Sequence, residues 1–158
     1  MPEPRVLTSF SSIDPRQWQA LERSDNPFLD YAFLAGLEET GSIGPHAGWR
    51  PHHLALFDGE GLLAFAPTYA KDNSHGEFVF DWSWADAYQR AGLSYYPKAV
   101  VAVPYTPATG PRILTAAGDH AAQICPHQHV HELAHGLAGR LGSNRFQFLG
   151  MFIEQLFA

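Results

Sequence analysis

Charged and aromatic side chains are mixed between residues 77 and 114 in a way that is typical of a small-molecule pocket. Asp81 and Asp86 could orient an amine or accept its proton, provided that burial raises their pKa. Lys98 and Arg112 could hold a phosphate or carboxylate, Arg112 in bidentate fashion. Structural roles remain open, since Asp86 could cap a helix and both cations could form surface salt bridges. The aromatic residues predicted to bind substrate are Trp82, Trp84, Tyr88, Tyr96 and Tyr105.

A second candidate site is the sequence HELAH at residues 131–135. On a helix, His131 and His135 lie one turn apart, Glu132 is available as general base, and Glu154 follows at a spacing that suits a third zinc ligand. This pattern predicts a zinc-dependent metallohydrolase. The alternative is an amphipathic helix in a histidine-rich segment. We expect this second case, with a helix that packs on the sheet and a protein without stoichiometric zinc.

Composition and charge narrow the function classes. The chain has 158 residues, of which 46% are hydrophobic and 16% charged, so one globular domain over residues 1–158 is expected. A net charge of −6, with 10 basic against 16 acidic residues, argues against general nucleic-acid binding. The single Cys125 excludes an internal disulfide. We find no signal peptide and no apolar run long enough to span a membrane, and we expect a cytoplasmic protein.

The elements that must position these residues alternate between strand and helix. Residues 5–13 favour a strand, and Asp14 with Pro15 starts a helix predicted to continue to residue 24. Asn26 and Pro27 start a second helix that ends before Gly41. Residues 52–58 and 61–72 form two β-rich runs around the turn sequence DGEG, which predicts a hairpin.

Further strands and helices follow the hairpin. Residues 77–82 favour a third strand, 84–92 a short helix ending at Gly92, and 98–105 another strand before a Pro/Gly turn. An apolar stripe predicts a helix from Pro126 to about Gly142. The pattern indicates a mixed α/β domain.

Three stretches, FDWSWADAYQRAG, YYPK and VPYTPATGPRIL, closely resemble the N-terminal half of the FemAB-like proteins, which are bacterial members of the GNAT acyltransferase superfamily linked to peptidoglycan biosynthesis or recognition. Upstream sequence extends the resemblance over most of residues 26–114. It implies a GNAT-like fold and N-acyl or aminoacyl transfer to a cell-wall precursor. It also places Lys71 and Glu77 in the same cleft, with Glu77 joining Asp81 as a catalytic candidate. Such proteins carry a second GNAT-like half, so a C-terminal half or another subunit is an expected partner.

The residues give a weaker signal for an acyl-donor site than for a pocket that binds the acceptor. The resemblance implies acyl-CoA or aminoacyl-tRNA, and GNAT proteins hold pyrophosphate on a glycine-rich loop between a strand and a helix. The nearest match, Gln89–Ser94, follows a helix, and prolines in TPATGP remove N–H donors. Three functions therefore stay open: an acyl or aminoacyl transferase, a zinc hydrolase, and a noncatalytic half-domain that binds a ligand or partner.

Overall fold

The computed structural model describes residues 2–78 and 81–117, and these form seven strands and three α-helices. The strands are β1 (Glu3–Leu7), β2 (Trp49–Pro51), β3 (His53–Asp58), β4 (Gly61–Ala66), β5 (Thr68–Lys71), β6 (Lys98–Val101) and β7 (Leu114–Thr115). The helices are α1 (Pro15–Gln19), α2 (Tyr31–Glu39) and α3 (Trp82–Arg90). The predicted mixture of α and β elements is confirmed, and the GNAT arrangement stays a prediction.

The described strands form two antiparallel sheets. The first has the order β1-β3-β4-β7 and the second the order β2-β5-β6. The predicted hairpin is confirmed, because Asp58 pairs with Gly61 and leaves a two-residue loop. Gly59, the first loop residue, has φ +58, a conformation that glycine adopts without steric cost in such turns.

The second β-rich run was predicted as one element and instead divides between the two sheets at Pro67. β4 ends at Ala66 in the first sheet, and β5 begins at Thr68 in the second. Proline has no N–H to donate to a sheet ladder, which favours a break at this position. His52, which lies between β2 and β3, donates its N–H to Thr68 O at 2.9 Å, so the two segments stay hydrogen-bonded where the chain changes sheets.

An aromatic core lies between the first sheet and the N-terminal helices. Phe10, Trp18 and Phe65 are almost fully buried, with ring centroids 4.8 to 5.7 Å apart in edge-to-face geometry. The Trp18 indole donates to Leu29 O at 2.9 Å, which satisfies its only polar group. This packing joins the N-terminal helices to the first sheet.

The two N-terminal helices begin later or end earlier than predicted. Asp14 caps α1 as expected, accepting from Arg16 N–H at 2.8 Å, but the helix ends at Gln19. The chain leaves the helix because Leu21 and Glu22 pair with the segment around Thr115. Pro27–Leu29 form only a 3-10 turn, and α2 begins at Tyr31.

The predicted strand over residues 77–82 is wrong where the structure describes it. Glu77 and Phe78 lie in a loop, Asp81 is the N-cap residue of α3, and Trp82 begins that helix. The helix ends at Arg90, two residues before the predicted end at Gly92. The predicted C-terminal helix, including HELAH, lies outside the described residues. Within the described ranges, no helix is long and apolar enough to cross a bilayer.

Candidate functional site

The second sheet brings both lysines of the chain together. Antiparallel pairing sets Trp49 opposite Lys71 and Lys71 opposite Lys98, so the three residues form one row across β2, β5 and β6. Lys71 Nζ lies 3.8 Å from the centroid of the Trp49 ring, a cation–π contact. Like charges directly opposite each other destabilise a sheet. The row therefore needs negative charge between its two ammonium groups.

Glu77 and Asp81 supply that charge. Lys98 Nζ lies 2.7 Å from Glu77 Oε2 and also donates to Asp81 Oδ2. Glu77 Oε1 faces Lys71 Nζ at 3.8 Å, which is too long for a hydrogen bond. The side chains of Glu77 and Asp81 are only 4% and 6% exposed. We call Lys71, Ser74, Glu77, Asp81 and Lys98 the lysine cluster.

Hydroxyl groups form further hydrogen bonds within and around the lysine cluster. Tyr95 donates to Asp81 Oδ2 at 2.6 Å, and the Ser74 and Tyr96 hydroxyls are 2.7 Å apart. Lys98 Nζ reaches Ser74 Oγ at 3.0 Å. Lys71 donates to His75 O at 2.8 Å. Even so, Glu77 Oε1 and Asp81 Oδ1 are buried and accept no hydrogen bond from any described residue.

Tyr105 holds the loop that carries Glu77. Its N–H donates to Gly76 O at 3.1 Å, and its ring packs on Trp49 with centroids 5.6 Å apart. Gly76 has φ +78, and a Cβ there would lie 2.5 Å from the Tyr105 ring. Only glycine allows this close approach, so the backbone beside Glu77 is fixed by packing. Tyr105, predicted to bind substrate, has this positioning contact in the structure.

The two carboxylates of the lysine cluster differ in their ionisation. Burial raises the pKa of Glu77, and the nearby lysines only partly oppose this effect. Burial also acts on Asp81, but hydrogen bonds, led by that from Lys98, outweigh it and lower its pKa. Proton acceptance by Asp81 was predicted on condition that burial raises its pKa, and Glu77 is the residue that meets this condition. Burial lowers the pKa of Lys71 to about 8.

A cleft of about 530 Å³ adjoins the lysine cluster along α3. Tyr95 and Tyr96 contact both, because they line the cleft while their hydroxyls bond to Asp81 and Ser74 of the lysine cluster. Of the predicted substrate-binding residues, Trp82 and Asp86 also line the cleft. The cleft lining consists of Trp82, Ala85, Asp86, Gln89, Leu93, Ser94, Tyr95 and Tyr96.

The remaining predicted site residues lie elsewhere. Tyr88 packs edge-to-face on Tyr95, with ring centroids 5.3 Å apart. Trp84 lies on α3 and is 49% exposed, but it is not part of the cleft lining. The Arg112 guanidinium donates to Ala108 O at 2.9 Å and to Gly110 O at 3.2 Å. These contacts hold its own loop, and an anion-binding role for Arg112 stays a prediction.

A second buried network, which the sequence analysis did not identify, lies where the chain changes sheets. His53 is fully buried, and its Nε2 lies 2.9 Å from Glu38 Oε1, while its Nδ1 accepts from Thr68 N–H at 3.2 Å. Glu38 Oε2 accepts from Ser9 Oγ at 2.9 Å and from Phe10 N–H at 2.8 Å. We call these five residues the sheet joint. The partners assign the ring proton to Nε2.

The protonation states of the sheet joint agree with that assignment. Burial lowers the pKa of His53 and keeps the imidazole neutral. Burial opposes ionisation of Glu38, but hydrogen bonds from His53, Phe10 and Ser9 outweigh it and lower its pKa. A neutral imidazole therefore donates to a carboxylate.

Metal binding finds no support in the described part of the chain. Within residues 2–78 and 81–117, no group of three or more His, Cys, Asp or Glu side chains could hold a metal ion. The alternative zinc ligands His131, His135 and Glu154, with Glu132 as base, lie outside these ranges, and that hypothesis stays a prediction.

Comparison with protein families gives one match. Residues 9–151 match the FemAB-like family, described as peptidoglycan biosynthesis/recognition. Searches of curated proteins and of solved structures return no match. The match includes both the sheet joint and the lysine cluster and covers nearly all of the 158 residues. The chain belongs to the FemAB-like family, which implies a role in peptidoglycan biosynthesis or recognition.

Proposed function

We propose that the protein transfers an acyl or aminoacyl group to an amine of a cell-wall precursor, and that Glu77 in the lysine cluster receives that amine. The observation that carries this proposal is the buried Glu77 Oε1, an acceptor that no described donor reaches. Buried polar atoms in folded proteins nearly always have partners, and an exception suggests a ligand or water. An amine N–H is a donor that a carboxylate oxygen can accept.

The ionisation of the cluster suits a base for amine attack. The nucleophilic amine must be neutral, and its nitrogen forms a bond to the acyl carbonyl carbon while the donor's thioester or ester bond breaks. The nitrogen then loses a proton to Glu77, and Glu77 passes this proton to the leaving thiolate or alkoxide as it departs. Burial raises the pKa of Glu77, which makes it a better base than an exposed carboxylate. Lys71 Nζ, 3.8 Å away, stabilises the ionised form.

Asp81 and Lys98 have a supporting role in this proposal. Asp81 is paired with Lys98 and also accepts a hydrogen bond from Tyr95. The pKa of Asp81 is lowered, so its carboxyl group stays charged. A permanently ionised Asp81 holds Lys98 in place, and Lys98 in turn fixes Glu77 Oε2 at 2.7 Å. Glu77 Oε1 then faces Lys71 Nζ at 3.8 Å and accepts no hydrogen bond from a described residue.

The test is a transfer assay with a matched variant. We would incubate the protein with a UDP-linked muramyl pentapeptide and either acetyl-CoA or aminoacyl-tRNA, and follow the mass of the peptide. Glu77→Gln should lower the rate by about a hundredfold or more, since general-base catalysis contributes that much. Glu22→Gln, which alters an exposed carboxylate, is the control and should leave the rate unchanged. A Glu77→Gln enzyme with the wild-type rate would contradict the proposal.

Recognition without turnover is the second candidate, and the burial of the cluster favours it. Glu77 is only 4% exposed, so a substrate reaches it only if neighbouring groups move. A protein that binds the precursor, with no mass change for either donor, would establish this function and exclude transferase activity for this chain alone.

A further inference from the structure

The cleft along α3 carries large apolar side chains that water contacts directly. Trp82 and Leu93 are each 60% exposed, and both line it. Exposed apolar residues that come together in a concave surface commonly mark a binding site. The volume of about 530 Å³ is within the range of small-molecule sites.

Charge limits what this cleft can hold. Among the described residues that line it, Asp86 is the only charged one, and Arg90 donates to it one helical turn away. No lysine or arginine is among these described lining residues, so this part of the cleft offers no direct cation to a phosphate or pyrophosphate. The described lining therefore favours a neutral ligand over the phosphate of an acyl-CoA or nucleotide.

The polar groups of the cleft are of the kind that bind hydroxyl and amide groups. Gln89 and Ser94 can both donate and accept hydrogen bonds, and they lie beside the aromatic walls. Tyr95 and Tyr96 are held by their hydroxyl contacts with Asp81 and Ser74, so their rings are fixed before a ligand arrives. Flat aromatic faces with neutral donors and acceptors at the edges suit a sugar ring, which has an apolar C–H face and a polar rim.

We infer that the α3 cleft is a carbohydrate subsite that binds an N-acetylhexosamine ring of the cell-wall glycan. The choice of a cell-wall glycan rests on the proposed function, whereas the sugar chemistry rests on the cleft. Tyr95 and Tyr96 connect the two sites, because both residues line the cleft and their hydroxyls bond to Asp81 and Ser74 of the lysine cluster. A ligand whose sugar lies in the cleft would thus have its remaining part beside the lysine cluster.

The test uses chitotetraose as the probe and saturation-transfer NMR as the readout, with isothermal titration for affinity. Trp82→Ala should weaken binding by about tenfold, the effect of losing one aromatic stacking partner. Trp84→Ala is the matched control, because Trp84 lies two residues away on the same helix and does not line the cleft. It should change affinity by less than about twofold.

A second variant guards against loss of folding. Gln89→Ala alters an exposed helical side chain at a position where alanine is a good helix former, so the fold should survive while sugar affinity falls. Absence of chitotetraose binding, equal losses for Trp82→Ala and Trp84→Ala, or tighter binding of uridine or of the free pentapeptide would each overturn the proposal.

The two proposals fail in different ways. If chitotetraose binds through Trp82 and no acyl transfer occurs, the carbohydrate subsite stands and the transferase function fails. If transfer depends on Glu77 and chitotetraose does not bind, the transferase function stands and the subsite fails. Glu77→Gln should keep wild-type affinity for chitotetraose, since Glu77 does not line the cleft.

Discussion

The sheet joint and the lysine cluster both bury a glutamate beside a basic side chain, but they satisfy it differently. Glu38 accepts hydrogen bonds from Ser9, Phe10 and His53, so both of its oxygens have partners. Glu77 has one oxygen bound by Lys98 and another that no described donor reaches. A fully satisfied network makes a core specific and rigid. A buried polar atom without a partner instead suggests that a ligand or water binds there. The difference suggests a structural role for the joint and a ligand role for the cluster.

The pKa shifts also differ between the sheet joint and the lysine cluster. In the sheet joint, the lowered pKa values of Glu38 and His53 agree on one state, a carboxylate beside a neutral imidazole. In the lysine cluster, the pKa of Glu77 is raised while that of Lys71 is lowered, so both groups move toward their neutral forms. Perturbed pairs of this kind are common at functional sites.

The largest effect should come from Lys98→Met, which removes the ammonium group that contacts both carboxylates of the cluster. Because Glu77 and Asp81 would stay buried with reduced compensation, we expect the free energy of unfolding to fall by about 3–5 kcal/mol. Urea denaturation would measure it. Arg90→Met, which disrupts an exposed pair with Asp86, should cost less than about 0.5 kcal/mol. Similar losses for the two variants would show that the cluster is not an isolated buried charge network.

Two matched glutamine variants should distinguish the regions directly. Glu38→Gln places an amide against three donors, so we expect a loss of about 2–3 kcal/mol in the free energy of unfolding. Glu77→Gln should cost less, about 1–2 kcal/mol, because only one of its oxygens accepts a hydrogen bond and Lys98 can still donate to the amide oxygen. If Glu77→Gln is the more destabilising change, the cluster is a structural network and the proposed function loses its basis.

A smaller effect is expected from Tyr95→Phe. The lost hydroxyl donates to the charged Asp81 at 2.6 Å, so the free energy of unfolding should fall by about 1.5 kcal/mol or somewhat more. Tyr31→Phe is the control, since its hydroxyl donates at 3.2 Å to the neutral carbonyl of Ile13 and should contribute about half as much. Equal losses would indicate that Asp81 gains little from Tyr95.

Local sequence signals predicted the elements better than the contacts. Asp14 with Pro15 marked a helix start, and the turn sequence DGEG marked the β3–β4 hairpin, because cap and turn chemistry act over a few residues. The strand predicted over residues 77–82 is wrong where the structure describes it, because Phe78 lies in a loop and Trp82 begins α3. Periodicity alone does not separate these cases.

The two sites depend on contacts between distant residues, which sequence spacing does not reveal. His53 meets Glu38 fifteen residues away, and Lys71 meets Lys98 through strand register. One signal was nevertheless present, since Lys71 and Lys98 are the only lysines in the chain, and the other 8 of its 10 basic residues are arginines. Lysine shifts its pKa on burial more readily than arginine, so this distribution favours a buried functional pair. Sequence spacing also gave no sign that Trp49 is the neighbour of Lys71.

The smallest effect, a displacement of one titration curve, would test the cluster at a single atom. With only two lysines, a sample with ¹³Cε-labelled lysine should show two side-chain signals, and Lys71→Arg identifies one of them by its loss. We expect the Lys71 signal to titrate with a midpoint of about 8, below its ordinary pKa of 10.5, because burial disfavours the ammonium form.

Glu77→Gln should lower that midpoint further, since the carboxylate favours the charged lysine and its removal takes away this support. The same pKa values give the direction in which the stability of the fold changes with pH. The folded pKa of Lys71 lies below the unfolded one, so between about pH 8 and 10.5 the unfolded chain binds more protons and this group makes the fold more stable as pH rises. In Lys71→Met that contribution should be absent. A Lys71 midpoint near 10.5 that Glu77→Gln leaves unmoved would show that Lys71 and Glu77 do not interact, and the ionised form of Glu77 would then lack the stabilising neighbour that the proposed function gives it.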